Sequence, residues 1–337
     1  MKKGNHISIK EIARLSGVSV ATVSRVINDN GRFSDETRKK VMDVINKHHY
    51  ETNFVAKSLR MNKSQTIGLL VPDISNEFFA AIVQEIERLF FEEGYSTIIC
   101  NTAKSAEKEK EYLKTLEGKM VDGLICISGQ EEILTDILRR NVPIVCIDRR
   151  PKTNQNVAFI ESNHLEGGRL ATEELIQKGC QNILLLTKRN NLSSVNERLK
   201  GYEEALKQHG FPVHEQNVVY IDEHSNNLEG ARKAIQEVLE ANLSFDGIFA
   251  TNDWLALGAM LMLQEKGYNI PEQVKIVGFD NNQISKYCNP PLTTIDQDEA
   301  TLAKYAYTNL LDMINGSAVK HGQHTRVPVH LVERKTT

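Results

Sequence analysis

Along the first fifty positions, apolar residues recur in three short runs at helical spacing. Ile9, Ile12, Ala13 and Leu15 form the first stripe, Val23, Val26 and Ile27 the second, and Val41, Val44 and Ile45 the third. Separations of three and four residues put each set on one face of a helix. The punctuation agrees. Ser8 followed by Glu11 is a capping-box pattern, Gly17 stops the first run, and Ser19 and Ser34 can cap the next two. From residue 66 the pattern changes. "TIGLLVP", "YSTIICNT", "VDGLICIS" and "VPIVCIDR" are short continuous apolar runs, separated by helical segments such as "EFFAAIVQEIERLFFEEG" and "AEKEKEYLKTLEGKM". That alternation predicts a parallel sheet covered by helices on both faces.

The second half of this region echoes the first. "VDGLICIS" at 121–128 recurs as "FDGIFATN" at 245–252, and "VPIVCIDR" at 142–149 recurs as "VKIVGFDN" at 274–281. "TIGLLVPD" has a looser partner in "NILLLTKR". Buried strands resemble one another by chance, but two echoes in the same order argue for two similar doubly wound subdomains. In open sheets of this kind ligands bind beyond the carboxyl ends of the strands, so two facing edges predict a cleft.

With 337 residues, 40% of them hydrophobic and 25% charged, the composition is that of an ordinary globular chain of two or three domains. No apolar stretch of about 20 residues exists to cross a membrane. The start, "MKKGNHISIKEIARLSG", is basic without an apolar core and cleavage site, so no secretory signal is expected. The five cysteines are scattered and form no C-x-x-C pair, which supports neither disulfides nor zinc and predicts a cytoplasmic setting. The net charge of −3 hides an asymmetry, because residues 1–63 hold 13 basic and 6 acidic side chains. A basic head on an acidic body points to a polyanion bound at the head; an uneven solvated surface is the plainer alternative.

Two short helices joined by a Gly-containing turn, followed by a bracing helix, make a helix-turn-helix unit. The second helix of such a unit enters the major groove with its first residues, here Ser19 and Val20, toward the base edges. Its small side chains permit close approach. Ala21 and the methyl of Thr22 can meet a thymine methyl, and Arg25 can make a bidentate contact with guanine. Thr22, Ser24 and Asn28 are suited to phosphates. A three-helix bundle without a DNA partner is the competing reading.

The stretches "IKEIARLSGVSVATVSRVIN" and "YETNFVAKSLRMNKSQTIGLLVPDISNEFF" resemble the LacI/GalR family of bacterial transcription regulators, and the likeness runs nearly to the C-terminus. The resemblance implies a helix-turn-helix head over 1–50, a hinge helix or linker over 51–63, and an α/β body over 64–337 of the periplasmic-binding-protein type. The body would divide into an N-subdomain of about 65–162 plus 294–322 and a C-subdomain of about 163–293 plus 323–337. "NFVAKSLRMNKSQT" is marginal as an isolated helix. The family implies that it orders on the operator and pairs with a second copy in the minor groove, with Leu59 as wedge and Lys57 and Arg60 reaching phosphates. A flexible linker is the alternative.

Polar and aromatic residues follow the strand ends: Asn76, Phe78 and Phe79; Asp148 and Arg149; Arg198; Asn252 and Asp253; Asp280; and Gln297. Carboxylates that accept from paired hydroxyls, Arg and Asn donors, and an aromatic face suit a neutral polyhydroxylated ligand. Apart from Asp253, the set resembles the sugar pocket of the family and of ribose-type periplasmic binding proteins. Two positions depart from it. Ser162 stands where relatives often carry an acid, leaving Asn163 as the match, and no aromatic aligns near "YIDEHSNN". "YSTIICNTAKSAEKEKEYL" is similar to regulators of sucrose and fructose use. Ribose, fructose, sucrose or a phosphorylated sugar is therefore the expected effector, with no other cofactor.

The expected function is a homodimeric repressor on a pseudo-palindromic double-stranded operator, with affinity changed by the sugar. A corepressor-dependent regulator is the alternative, its effector a small molecule or a phosphocarrier protein, although no residue pattern supports the latter. A sugar-binding transport component has no use for the head. An enzyme is not expected, since Asp148, Asp253 and Asp280 are explained by binding and no nucleophile elbow, phosphate loop or metal cluster appears. "HGQH", with His321 and His324, lies in a polar loop. "PVHLVERKTT" adds no leucine-heptad tail, so dimers rather than tetramers are expected.

Overall fold

The computed structural model describes residues 7–48, 50, 63–127, 138, 140–148, 157–189, 192–222, 225–316 and 324–337. The chain divides into two compact units between Ser64 and Gln65.

In the first unit, α1 (Ile9–Ser16), α2 (Val20–Ile27) and α3 (Asp35–His48) enclose a small core of Ile12, Ala13, Val23, Val26 and Val41. Each helix begins at a serine whose hydroxyl accepts from a backbone N–H: Ser8 from Glu11 at 3.3 Å, Ser19 from Thr22 at 3.1 Å, and Ser34 from Thr37 at 3.2 Å. Such caps contribute about 1 kcal/mol each. Gly17 turns the chain at φ 69°, a left-handed conformation that glycine adopts without strain. Leu15, expected in the apolar stripe, is exposed instead. Ser16 takes the inward place because its hydroxyl can donate to Ile12 O at 2.7 Å.

The second unit holds two six-stranded sheets. The first has the order β11 (His324–Val327), β5 (Val157–Ser162), β4 (Ile144–Ile147), β3 (Gly123–Cys126), β1 (Thr66–Val71), β2 (Ser96–Asn101), and it is parallel throughout. The second has the order β12 (His330–Val332), β10 (Thr293–Asp296), β9 (Lys275–Phe279), β8 (Gly247–Ala250), β6 (Ile183–Lys188), β7 (Val218–Ile221), with only β12 antiparallel among these strands. The two orders repeat one another, as the sequence echoes require. α4 (Glu77–Glu92) and α11 (Glu299–Ile314) bury Ile82, Ile86, Phe90, Leu302 and Leu310 against one face of the first sheet. α5 (Ala106–Gly118) covers the other face with Leu113 and Leu116. A fully buried side chain such as Phe90 contributes about 1.5–3 kcal/mol. On the second sheet, α6 (His164–Gln177) and α7 (Ser193–Gln208) cover one face, while α8 (Asn227–Glu240) and α9 (Asp253–Glu265) cover the other. A short helix, α10 (Gln283–Tyr287), follows β9.

The expected subdomain limits need correction at the C-terminal end. Thr293–Asp296 belongs to the second sheet, beside β9, whereas His324–Val327 closes the edge of the first, beside β5. The chain therefore crosses at Asn163, again around Gln297 and Asp298, and last between Val327 and His330. Thr294 is held in the second sheet by donating its hydroxyl to the buried Asp253 carboxylate at 2.5 Å.

Helices α6 and α7 pack at glycines. A Cβ at Gly168 would collide with the Arg198 carbonyl, and one at Gly201 with the Leu165 carbonyl. Both obstacles are backbone, so neither helix can yield without separating. Gly201→Ala is expected to cost about 2–3 kcal/mol, read as a lower urea midpoint at unchanged slope.

Candidate functional site

The first unit presents one candidate surface. On α2 and its flanks, Ser19, Val20, Ala21, Arg25 and Asn28 are exposed, while Thr22 and Ser24 are half-buried. The helix thus turns Val23 and Val26 inward and leaves Val20 and Ala21 outward. Polar candidates here are already engaged locally. Asn28 Nδ2 donates to Ser24 O at 2.7 Å, and the Thr22 and Ser19 hydroxyls lie 2.9 Å apart. Gly31 faces the aliphatic stem of Arg25, since a Cβ there would lie 3.4 Å from its Cδ. Lys57, Leu59 and Arg60 fall outside the described residues.

The second unit contains a cavity of about 780 Å³ at the carboxyl ends of the strands of both sheets. Asn76, Phe78, Phe79, Asp148, Arg198, Asn252 and Asp280 line it. The two aspartates occupy equivalent places. Asp148 follows β4 with φ 68° and donates its N–H to Ile160 O at 2.9 Å, and Asp280 follows β9 with φ 109° and donates to Ile295 O at 2.9 Å. The same turn therefore delivers a carboxylate from each sheet. Asn76 and Asn252 cap α4 and α9, accepting from Phe78 and Leu255 at 3.0 and 2.9 Å. Phe78 and Phe79 meet edge to face with centroids 5.4 Å apart and belong mostly to the core.

Arg198 lies at the centre. Its guanidinium sits 3.6 Å from the Phe279 ring centroid, and Nη1 donates to Thr251 O at 2.5 Å and stands 3.7 Å from Asp280 Oδ1. Gln297 Nε2 donates to the same Asp280 oxygen at 2.6 Å. Burial lowers the Arg198 pKa, opposed first by Asp280. Burial raises Asp280 to about 7; Arg198 pulls it down and Asp148 pushes it up. Asp253 is pushed well above the usual carboxylate range by burial and then by Asp280, while bonds from Thr294 and the Asn282 N–H oppose this.

The raised Asp280 value has a definite sign. The folded chain holds this proton more tightly than the unfolded one, so the stability it contributes is lost as pH rises from about 4 to about 7. The melting temperature of the ligand-free chain is expected to fall more steeply over that range than that of Asp280→Asn, measured in parallel by calorimetry.

Not every candidate reaches the cavity. Gln297 is fully buried behind Asp280, and Asn163 caps α6 by accepting from Glu166 at 3.4 Å; neither is among the lining residues. Arg149 falls outside the described residues. Conversely, Lys104, Lys188, Ser194, Asn226 and Trp254 line the cavity without having been singled out. Trp254 had a visible signal, since it directly follows the Asn252–Asp253 pair at a strand end. His324 Nε2 lies 2.7 Å from Glu161 Oε1, to which Arg326 Nε also donates at 2.9 Å, and it plays no part in the cavity. Among the described residues, no group of three or more His, Cys, Asp or Glu could hold a metal ion, and no helix is long and apolar enough to cross a membrane.

Comparison with known proteins adds two family matches. Residues 8–53 match "Bacterial regulatory proteins, lacI family", and residues 172–337 match "Periplasmic binding protein-like domain". The HTH-type transcriptional regulator RegA of Clostridium saccharobutylicum is 34% identical over 333 residues, covering 98% of this chain and 99% of its own. The ribose operon repressor of Halalkalibacterium halodurans is 34% identical over 331 residues, covering 98% and 97%. Among solved structures, the lac repressor dimer bound to operator and the anti-inducer ONPF superposes with a TM-score of 0.87 at 28% identity, covering 98% of this chain and 99% of that one.

Proposed function

The chain belongs to the lacI family of bacterial regulatory proteins, and we propose that it is a repressor whose hold on operator DNA is set by a small sugar bound between the two sheets. One observation carries the reading: Asp148 and Asp280 arrive from equivalent turns of the two sheets and, with the buried Arg198, line one cavity. A ligand rich in paired hydroxyls can bond both carboxylates and Arg198 at once, and so favours one arrangement of the two halves over another. Coupling requires only that difference, and typical couplings of about 1–3 kcal/mol change operator affinity about 5- to 150-fold. The likeness to a ribose operon repressor supports a sugar in this role. The proposed DNA contacts are those of Ser19, Val20, Ala21, Thr22, Ser24, Arg25 and Asn28, and the proposed assembly is a homodimer on a pseudo-palindrome, working in the cytoplasm. Residues 51–63 would link the two events. We read the cleft as a binding site rather than a catalytic one, because Asp253 is committed to Thr294 and Asn282.

A phosphorylated sugar is the second reading, favoured by Lys104 and Lys188 at the cavity. Trp254, the chain's one tryptophan, offers the test. D-ribose, D-fructose, sucrose and ribose 5-phosphate are titrated into the full chain while its emission is followed. A saturable change with at least one supports the reading, a phosphate-only response selects the second form, and silence with all four counts against both.

A further inference from the structure

His164 was not among the expected site residues and does not line the cavity, yet it touches two residues that do. It opens α6 immediately after the chain crosses between the sheets at Asn163, and it is 2% exposed. One ring nitrogen, Nδ1, lies 3.4 Å from Arg198 Nε and 3.3 Å from Arg198 Nη2. The other, Nε2, lies 3.1 Å from Asp148 Oδ1, although off the line of a good hydrogen bond. The ring tilts over Phe279 at 6.2 Å, and the same aromatic ring supports the guanidinium of Arg198. Asp148 ends a strand of the first sheet, whereas Arg198 lies on a helix covering the second. The imidazole therefore stands between the two halves, beneath the cavity.

Donor chemistry decides how it must be protonated. A guanidinium has five N–H donors and no acceptor. Nδ1 can meet it only with a lone pair, so the neutral ring carries its proton on Nε2, the nitrogen beside Asp148. We propose that His164 is a positioning residue of the cleft: by accepting from Arg198 and packing its Nε2 edge beside Asp148, it holds in register the cation and carboxylate that the two halves bring to the effector. Arg198 has remaining donors to direct at a ligand once Thr251 O and His164 fix the plane of its fork. Without the imidazole acceptor the fork loses one of its anchors, keeping Thr251 O and the longer contact to Gln297, and a buried donor loses its partner. This inference rests on the cleft being the effector site.

The test has a ligand-free arm and a binding arm, both on the full chain. In protein labelled with ¹⁵N-histidine, the His164 signal is identified by its disappearance in His164→Gln. Its Nδ1 is expected to be unprotonated and its Nε2 protonated, as a fixed tautomer. The opposite tautomer, or rapid averaging of the two, overturns the proposal. In the binding arm, D-ribose, D-fructose and sucrose are titrated against Trp254 emission. His164→Gln keeps one acceptor and one donor and is expected to bind the responsive sugar within about threefold of wild type, whereas His164→Leu, which offers neither, should bind about tenfold more weakly or worse. Equal affinity for all three proteins, or a Gln variant as weak as the Leu variant, overturns it. If His164→Leu does not fold, the tautomer and the Gln variant still decide. If none of these three changes the emission of wild type, ribose 5-phosphate takes their place; if it too is silent, the sugar reading fails, and the tautomer alone judges His164.

Discussion

Arg198→Met should abolish the response to sugar, weakening effector affinity by more than about 100-fold while leaving operator binding without sugar near the wild-type level. The magnitude follows from burial. Arg198 is a cation enclosed by Phe279, Thr251 O, Gln297, Asp280 and His164. Removing one partner from a buried, hydrogen-bonded charge pair typically costs about 3–5 kcal/mol, mostly as the penalty on the group left behind. Here that group is Asp280, already raised to about 7, which would rise further and so offer a ligand a protonated acid in place of a carboxylate. Methionine fills much of the stem's volume, so the packing of α6 on α7 survives. Isothermal titration with the responsive sugar measures the loss, and fluorescence anisotropy on operator DNA measures what is retained. Wild-type sugar affinity in Arg198→Met would remove the arginine from the site.

Ala21→Glu should have the opposite selectivity, cutting operator affinity about 100- to 1,000-fold without altering sugar binding or folding. Ala21 is exposed near the start of α2, one residue after Val20, and contributes nothing to the core built on Val23 and Val26. A carboxylate there opposes the phosphates and excludes the close approach that a small residue permits. Like charges forced together at an interface cost several kcal/mol, which sets the range. Glutamate at the second position of a helix suits the helix dipole, so the head itself should be no less stable. An unchanged affinity would show that this face of α2 does not meet DNA.

These two variants separate what could be read from the residues from what could not. The head was legible because its signals are local. Ser8, Ser19 and Ser34 each cap the helix that immediately follows, and a serine hydroxyl reaches only three residues ahead. Leu15 was misplaced because a spacing rule does not know that Ser16 can satisfy itself on Ile12 O and turn inward. In the body, the echoed strands carried the doubled architecture, and the aspartates that follow them proved to share one backbone turn. The exchange of the last strands was not legible. Thr293–Asp296 and His324–Val327 are both four-residue strands, and only their neighbours in space say which sheet each joins. Gln297 and Asn163 have the right chemistry, but one side chain lies behind Asp280 and the other folds back on its own helix. His164 left no signal of its own. A single buried histidine is usually a core residue, and its meaning comes from Asp148 and Arg198, which lie 16 and 34 residues away in the sequence.

The central claim is that a metabolite held in the cleft changes the grip of the head on DNA. It is tested most directly by titrating the full chain onto a fluorescent operator fragment with and without a sugar already shown to alter Trp254 emission. The account predicts curves displaced by about 5- to 150-fold in apparent Kd, with the displacement lost in Arg198→Met. Superimposable curves at saturating sugar, for a ligand that demonstrably occupies the cleft, would contradict it.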